Sequence, residues 1–209
     1  MPRTPGPRGS YAKTAKRREE IIAAAMEVFA LRGYSDATMS QIAQRAGMTM
    51  PGVAHHFPTK SALVEAVFVE RDVQVQRRLE GLRGVTFLSA LLEIADHDEH
   101  ADGLTQLFTI LAAEATMPTH PAHAYVKQRY EVILSTVRQA FEEAQADGRL
   151  RAGVVPTEAA QTYAALSDGL QLQHLYGVGQ AGQAALMRHL LESIVARPGE
   201  TVDIEVGVQ

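Results

Sequence analysis

The chain has 209 residues, room for one large domain or a small one joined to a larger one at roughly 100–200 residues per domain. It has no cysteine, which excludes a disulfide frame, a zinc–thiolate site and a cysteine nucleophile, and fits a reducing compartment. The net charge of −4 is unevenly placed: residues 1–60 hold nine Lys/Arg against four Asp/Glu, net +5, which leaves −9 for the rest. A basic head on an acidic body is the polarity of a molecule that binds a polyanion at one end. No apolar run approaches the ~20 residues of a membrane span. The opening MPRTPGPRGSYAKTAKRREE carries charge without an apolar stretch, unlike a secretory leader. A soluble, cytoplasmic protein without membrane contact is expected.

Residues 1–14, rich in Pro, Gly, Arg and Ser, are expected to form a flexible basic arm. Helix is expected from near Lys16, where Ile22, Ala25, Met26, Phe29 and Ala30 recur at helical spacing, with Gly33 as its stop. Thr38 is an N-cap for a short helix, Met39 to about Ala46, with Ile42, Ala43 and Ala46 inward and Gly47 after it. Thr49 caps a second, Met50 to about His56, which tolerates Pro51 in its first turn and turns Val53 and Phe57 inward. Pro58 breaks that helix. Thr59 then caps a longer one, Lys60 to about Leu82, with Leu63, Val64, Val67 and Phe68 inward. Helices near 86–97, 102–116, 121–147, 156–176 and 181–197 follow, the third of them about 40 Å long at ~1.5 Å per residue. A polar tail, 198–209, closes the chain, and no strand or internal repeat emerges. The expected fold is all-α with about nine helices. A three-helix helix-turn-helix domain, 15–62, is linked through helix 60–82 to a helical bundle, 63–197.

Two short helices joined by a tight glycine-containing turn, here AGMT, are the helix-turn-helix arrangement. With Val53 and Phe57 turned inward, Thr49, Met50, Gly52, Ala54, His55 and His56 are left to meet a partner. A DNA major groove accepts such a helix, and small Gly52 and Ala54 allow close approach. Met50 offers apolar contact to a thymine methyl, and Thr49, His55 and His56 can donate to phosphate. Lys60 offers a backbone contact at the next helix start, and Arg17 and Arg18 can lie along the backbone or in the minor groove.

Other chemistries fit less well. His55 and His56 are adjacent on a helix and so point about 100° apart, with no third ligand at i+4. The stretch DHDEHAD, Asp96 to Asp102, lacks calcium-loop spacing and reads as a solvated acidic loop. His120 and His123 open a long helix, where packing is the ordinary role. No Ser-His-Asp order or glycine-rich phosphate loop is present, so neither an enzyme nor a metal or cofactor site is expected.

The segment Arg17–Leu63 resembles the N-terminal domain of the TetR (tetracycline repressor) family of bacterial transcription regulators. The resemblance rests on IIAAAMEVFALRGY and ATMSQIAQRAGMTMPGVAHHFPTKSALVEAV, about a quarter of the chain taken as one ordered, spaced set. It implies that Thr38 and Ser40 face phosphate or bases, that Thr49, Met50, Pro51 and Gly52 face the groove, and that His55, His56 and Lys60 contact the DNA backbone. Two departures stand out. The turn reads Ala-Gly-Met where the family has Ala-Gly-Val. Ala54 stands where the family usually has a Tyr whose hydroxyl meets a phosphate.

For the rest of the chain the resemblance implies a ligand-binding and dimerisation domain. Its last two helices would pair with those of a twin subunit, with Tyr163, Ala164, Ser167, Leu170, His174, Leu186, Leu190 and Ile194 as candidate contacts. Phe108, Leu111, Tyr130 and Leu134 would line a pocket, with Glu114 and Gln171 as polar anchors. The expected function is a dimeric repressor released from a double-stranded DNA operator by a small-molecule effector. The alternatives are a helical small-molecule- or metal-binding protein without DNA contact, and a family member that binds DNA constitutively without an inducer.

Overall fold

The computed structural model describes residues 8–98 and 102–196. In its first part, local chemistry sets the helix ends. α1 (Arg8–Asp36) loses its regular path at Gly33, whose φ of 70° lies in the left-handed region that a side chain resists. Thr38 opens α2 (Met39–Arg45) with a reciprocal cap. Its hydroxyl accepts from the Gln41 N–H at 3.2 Å, and the Gln41 side chain accepts from the Thr38 N–H at 2.9 Å. Gly47, at φ 63°, turns the chain. Thr49 then caps α3 (Met50–His56) by accepting from the Gly52 N–H at 3.2 Å, with Pro51 in the first turn. Phe57 leaves the helix in an extended conformation, and Thr59 accepts from the Ala62 N–H at 3.0 Å to start α4 (Lys60–Leu79).

Met1–Gln74 and Val75–Gln209 are two compact units, and the boundary between them falls inside α4. The core of the first unit is Ile21, Ala25 and Phe29 of α1, Ile42 and Ala43 of α2, Val53 and Phe57, and Leu63, Val64, Val67 and Phe68 of α4. Burial of those four α4 side chains moves the division from residue 62, where it is expected, to Gln74. α1 also differs from expectation in two ways. It is already helical at Arg8, so residues 8–14 of the expected arm belong to it; no proline follows Pro7 to interrupt it, and residues 1–7 lie outside the described residues. Its buried stripe is Ile21, Ala24, Ala25, Val28 and Phe29, with Ala30 exposed. That is a rotation of about 100° from the expected stripe, and it brings the branched Ile21 and Val28 into the core.

The second unit holds α5 (Gly84–Asp98), α6 (Asp102–Glu114), α7 (His123–Ala146), α8 (Pro156–Leu175) and α9 (Gln183–Ile194). Phe87, Leu88, Leu92, Val137, Phe141, Ala160, Met187 and Leu191 form the centre of its core. His120 and His123 act within the fold: the His120 ring accepts from the Ala122 N–H at 3.2 Å, and His123 Nδ1 bonds the Ala115 carbonyl at 2.8 Å. One antiparallel bridge, Leu150 with Val195, joins the α7–α8 turn to the end of α9. Around it the Arg149 side chain donates twice to the Ala196 carbonyl, at 3.0 and 2.8 Å, and the Ala196 N–H donates to the Arg149 carbonyl at 2.8 Å. The side chains of the acidic stretch 96–102 and the tail 198–209 lie outside the described residues. Among the described residues there is no strand longer than that bridge, and no helix is long and apolar enough to cross a membrane.

Candidate nucleic-acid interface

A seven-residue helix cannot hold itself together, because nucleation costs more than two turns of bonds return. α3 is fixed instead by its cap and by Val53 and the following Phe57, both at most 2% exposed. Full burial of such side chains is worth about 1.5–3 kcal/mol each. Its other face is open: Met50 is 52% exposed, Pro51 and His55 are exposed, and Gly52, Ala54 and His56 are partly so. Gly52 also serves the cap, since a Cβ there would sit 3.2 Å from the Thr49 hydroxyl and 3.4 Å from the Met48 methyl. Thr38 and Ser40 are exposed at the start of α2. The His55 and His56 rings meet edge to face, centroids 5.4 Å apart at 74°. No group of three or more metal-ligating side chains occurs among the described residues.

Four cations of this unit, Arg17, Arg18, Arg45 and Lys60, are engaged by specific partners. Arg17 pairs with Glu20 at 2.6 Å, and Arg45 donates through Nε to Glu27 at 2.6 Å. Both pairs are surface-exposed, so each is worth little in stability. Arg18 donates to the His56 carbonyl at 3.1 Å, and its guanidinium lies 4.3 Å from the centre of the Phe57 ring. Lys60 donates to the carbonyls of Tyr34 at 2.6 Å, Ala37 at 3.1 Å and Ser35 at 3.5 Å, and its ammonium lies 4.2 Å from the centre of the Tyr34 ring.

In the second unit the structure brings together two of the expected pocket residues, Phe108 and Tyr130, with ring centroids 6.3 Å apart. It adds two that sequence reasoning missed. Tyr130 donates to Asp168 at 2.8 Å, and the Arg129 guanidinium lies 4.2 Å from the Phe108 ring centre. Burial raises the Asp168 carboxyl above its usual range, against the opposing pull of the Tyr130 bond and the Arg129 charge. Burial, and then the bond to Asp168, raise the Tyr130 phenol as well. An acid as the one charged residue of the stretch TYAALSDGLQL was the available signal. Leu111 is buried, and Leu134 and Gln171 are half-buried. Glu114 points outward at the end of α6, 4.0 Å from His120 Nε2.

Of the expected dimer contacts, Tyr163 and Leu170 lie in the unit's own core, where burial raises the Tyr163 phenol. Ala164, Ser167, Leu190 and Ile194 are half-buried, and Ser167 accepts from Gln183 at 3.0 Å. His174 and Leu186 are exposed, as are Leu172, Tyr176 and Val178 near them in sequence. A cavity of about 400 Å³ opens here, lined by Leu170, Gln173, His174, Val178, Gln183 and Leu186 among others.

A capped short helix, a glycine turn and an outward second helix under a basic end define a helix-turn-helix DNA-binding protein. Residues 21–67 match the model described as bacterial regulatory proteins, tetR family, and residues 87–197 match the BetI-type transcriptional repressor C-terminal model. The chain belongs to the TetR family of transcriptional regulators and is not an enzyme. It is 27% identical to the transcriptional regulator SrpR of Pseudomonas putida, over 84% of this chain and 83% of that one. The A-factor receptor protein of Streptomyces griseus is 28% identical over 93% of this chain and 69% of its own length. The solved structure of Salmonella enterica GusR superposes with a TM-score of 0.64 at 26% identity, covering 85% of this chain and 94% of that one. These matches set aside the reading of a helical protein without DNA contact.

Proposed function

We propose that the chain is a homodimeric cytoplasmic repressor that holds a double-stranded operator until a small molecule bound in the second unit releases it. The observation that carries the effector is the Phe108–Arg129–Tyr130–Asp168 cluster. Aromatic rings with a few convergent polar groups are the composition of small-molecule sites. The A-factor receptor's name and the repressor description of the matched C-terminal model support the same reading.

On the DNA side, Thr49, Met50, Pro51 and Gly52 face the groove, while Thr38, Ser40, His55, His56 and Arg17 meet phosphate. α3 contains no Arg or Lys for a bidentate guanine contact, so readout rests on apolar contact by Met50, on water and on groove shape. A second copy covers the α8–α9 face that exposes Leu172, Val178 and Leu186. Two-fold pairing then sets the two recognition helices about one helical turn, ~34 Å, apart. An effector that favours another separation weakens DNA binding, and DNA weakens effector binding by the same factor.

A duplex enriched from a random pool by the protein supplies the probe. Compounds that raise the melting temperature of the free protein are then tested by fluorescence anisotropy against that duplex. A compound should lower duplex affinity by the same factor by which the duplex lowers its own. Tight compounds that leave duplex affinity unchanged refute release. Sedimentation as a monomer on the duplex refutes the dimer.

A further inference from the structure

Arg18 and Lys60 stand where phosphate contacts are expected, yet both are engaged inside the first unit. Arg18 reaches across 38 residues from α1 to the last carbonyl of α3, one of the acceptors that a helix end leaves unsatisfied. Its guanidinium covers the ring of Phe57, the residue that ends the recognition helix. A cation at a helix C-terminus also complements the dipole. Lys60 acts at the end of α1 instead. Its ammonium has three N–H donors, and the Tyr34, Ala37 and Ser35 carbonyls accept from it after the break at Gly33. Ala37 immediately precedes the Thr38 cap of α2, so Lys60 holds the corner from which the helix-turn-helix starts.

We propose that Arg18 and Lys60 are positioning residues: Arg18 sets the tilt of the recognition helix through the His56 carbonyl and the Phe57 ring, Lys60 sets the α1–α2 corner, and neither neutralises a DNA phosphate. A phosphate contact and a positioning contact differ in two measurable ways. Loss of a phosphate contact weakens binding to all duplexes alike and lowers the slope of log affinity against log salt by about 0.9. Loss of a positioning contact lowers the preference for the selected sequence and leaves that slope unchanged.

The test uses the full chain, the selected duplex and a random duplex of equal length, each over a salt series. Arg18→Lys keeps the charge but loses the planar face and fork. It should weaken selected-duplex binding roughly tenfold, the scale of one spoiled base-pair contact, with random-duplex binding nearly unchanged. Phe57→Leu keeps every charge and most of the buried volume, and should cost selectivity in the same way. Lys60→Met should lower the preference for the selected duplex over the random one and leave the salt slope at the wild-type value. Circular dichroism at the assay temperature confirms that each variant is folded; a role in stability alone would shift melting but not the ratio of the two affinities. Wild-type selectivity in both Arg18→Lys and Phe57→Leu overturns the assignment of Arg18. Wild-type selectivity in Lys60→Met, or a slope lower by about 0.9, overturns that of Lys60.

Discussion

The helix-turn-helix and the Tyr130–Asp168 pair use their polar side chains in different ways. In the first, Thr38, Thr49, Arg18 and Lys60 bond backbone groups at helix ends, where an unmade bond is costly and the position of the partner is fixed by the fold. In the second, Tyr130 and Asp168 bond each other between the middles of α7 and α8, half-buried beside Phe108. A bond at a helix end shapes the backbone. The Asp168 carboxyl, raised by burial, instead ties α8 to α7 through the Tyr130 hydroxyl. The difference separates polar groups that fix one surface from a polar pair that meets between two helices.

Phe57→Ala tests the independence of the two units and should have the largest effect. It removes a ring that is 2% exposed and should destabilise the first unit by about 3–5 kcal/mol. In a urea titration the first unit should unfold early, with loss of DNA binding, while the helical signal of the second persists. One merged transition would show that the units do not unfold separately. Asp168→Asn acts on the other unit and should have a smaller effect. Because the folded carboxyl titrates above its unfolded value, wild type is most stable below the unfolded pKa and loses stability as pH rises through the folded one. The asparagine oxygen can still accept from Tyr130, so the variant should melt higher than wild type at neutral pH, and the gap should close in acid. An unchanged gap at both ends would remove the case for a desolvated acid. His56→Ala should have the smallest effect. It keeps the carbonyl that Arg18 uses and loses one phosphate donor, about 1 kcal/mol or roughly fivefold in affinity on any sequence, read by anisotropy. A change in which bases are preferred would place His56 in the groove instead.

The same contrast explains what can be read from the chain alone. Thr38, Gly47, Thr49 and Phe57 act on neighbours a few residues away, so their roles show in spacing. The inward set Val53, Phe57, Leu63, Val64, Val67 and Phe68 is legible for the same reason. The α1 stripe is misread by one position because Ile21 and Ile22 are equally apolar and only tertiary packing chooses between them. Arg18 and His56, and likewise Tyr130 and Asp168, are 38 residues apart. No local pattern encodes those meetings. Arg18 and Lys60 read as free cations until the fold supplies their partners. Ala54 remains half-exposed with no hydroxyl, and the exposed His55 ring beside it is the nearest donor on that turn.

The bridge between Leu150 and Val195 has a bearing on assembly. With Arg149 holding the Ala196 carbonyl, it closes a loop that spans 47 positions and contains all of α8 and α9. A helical hairpin tied at both ends of its own sequence cannot be lent to another chain without first breaking that knot of bonds. Two copies that meet through this hairpin therefore dock as finished subunits and resist exchanging helices, the usual hazard when identical elements pair. At the far end of the hairpin the chain turns through Gly177 and Gly179, at φ 66° and 96°.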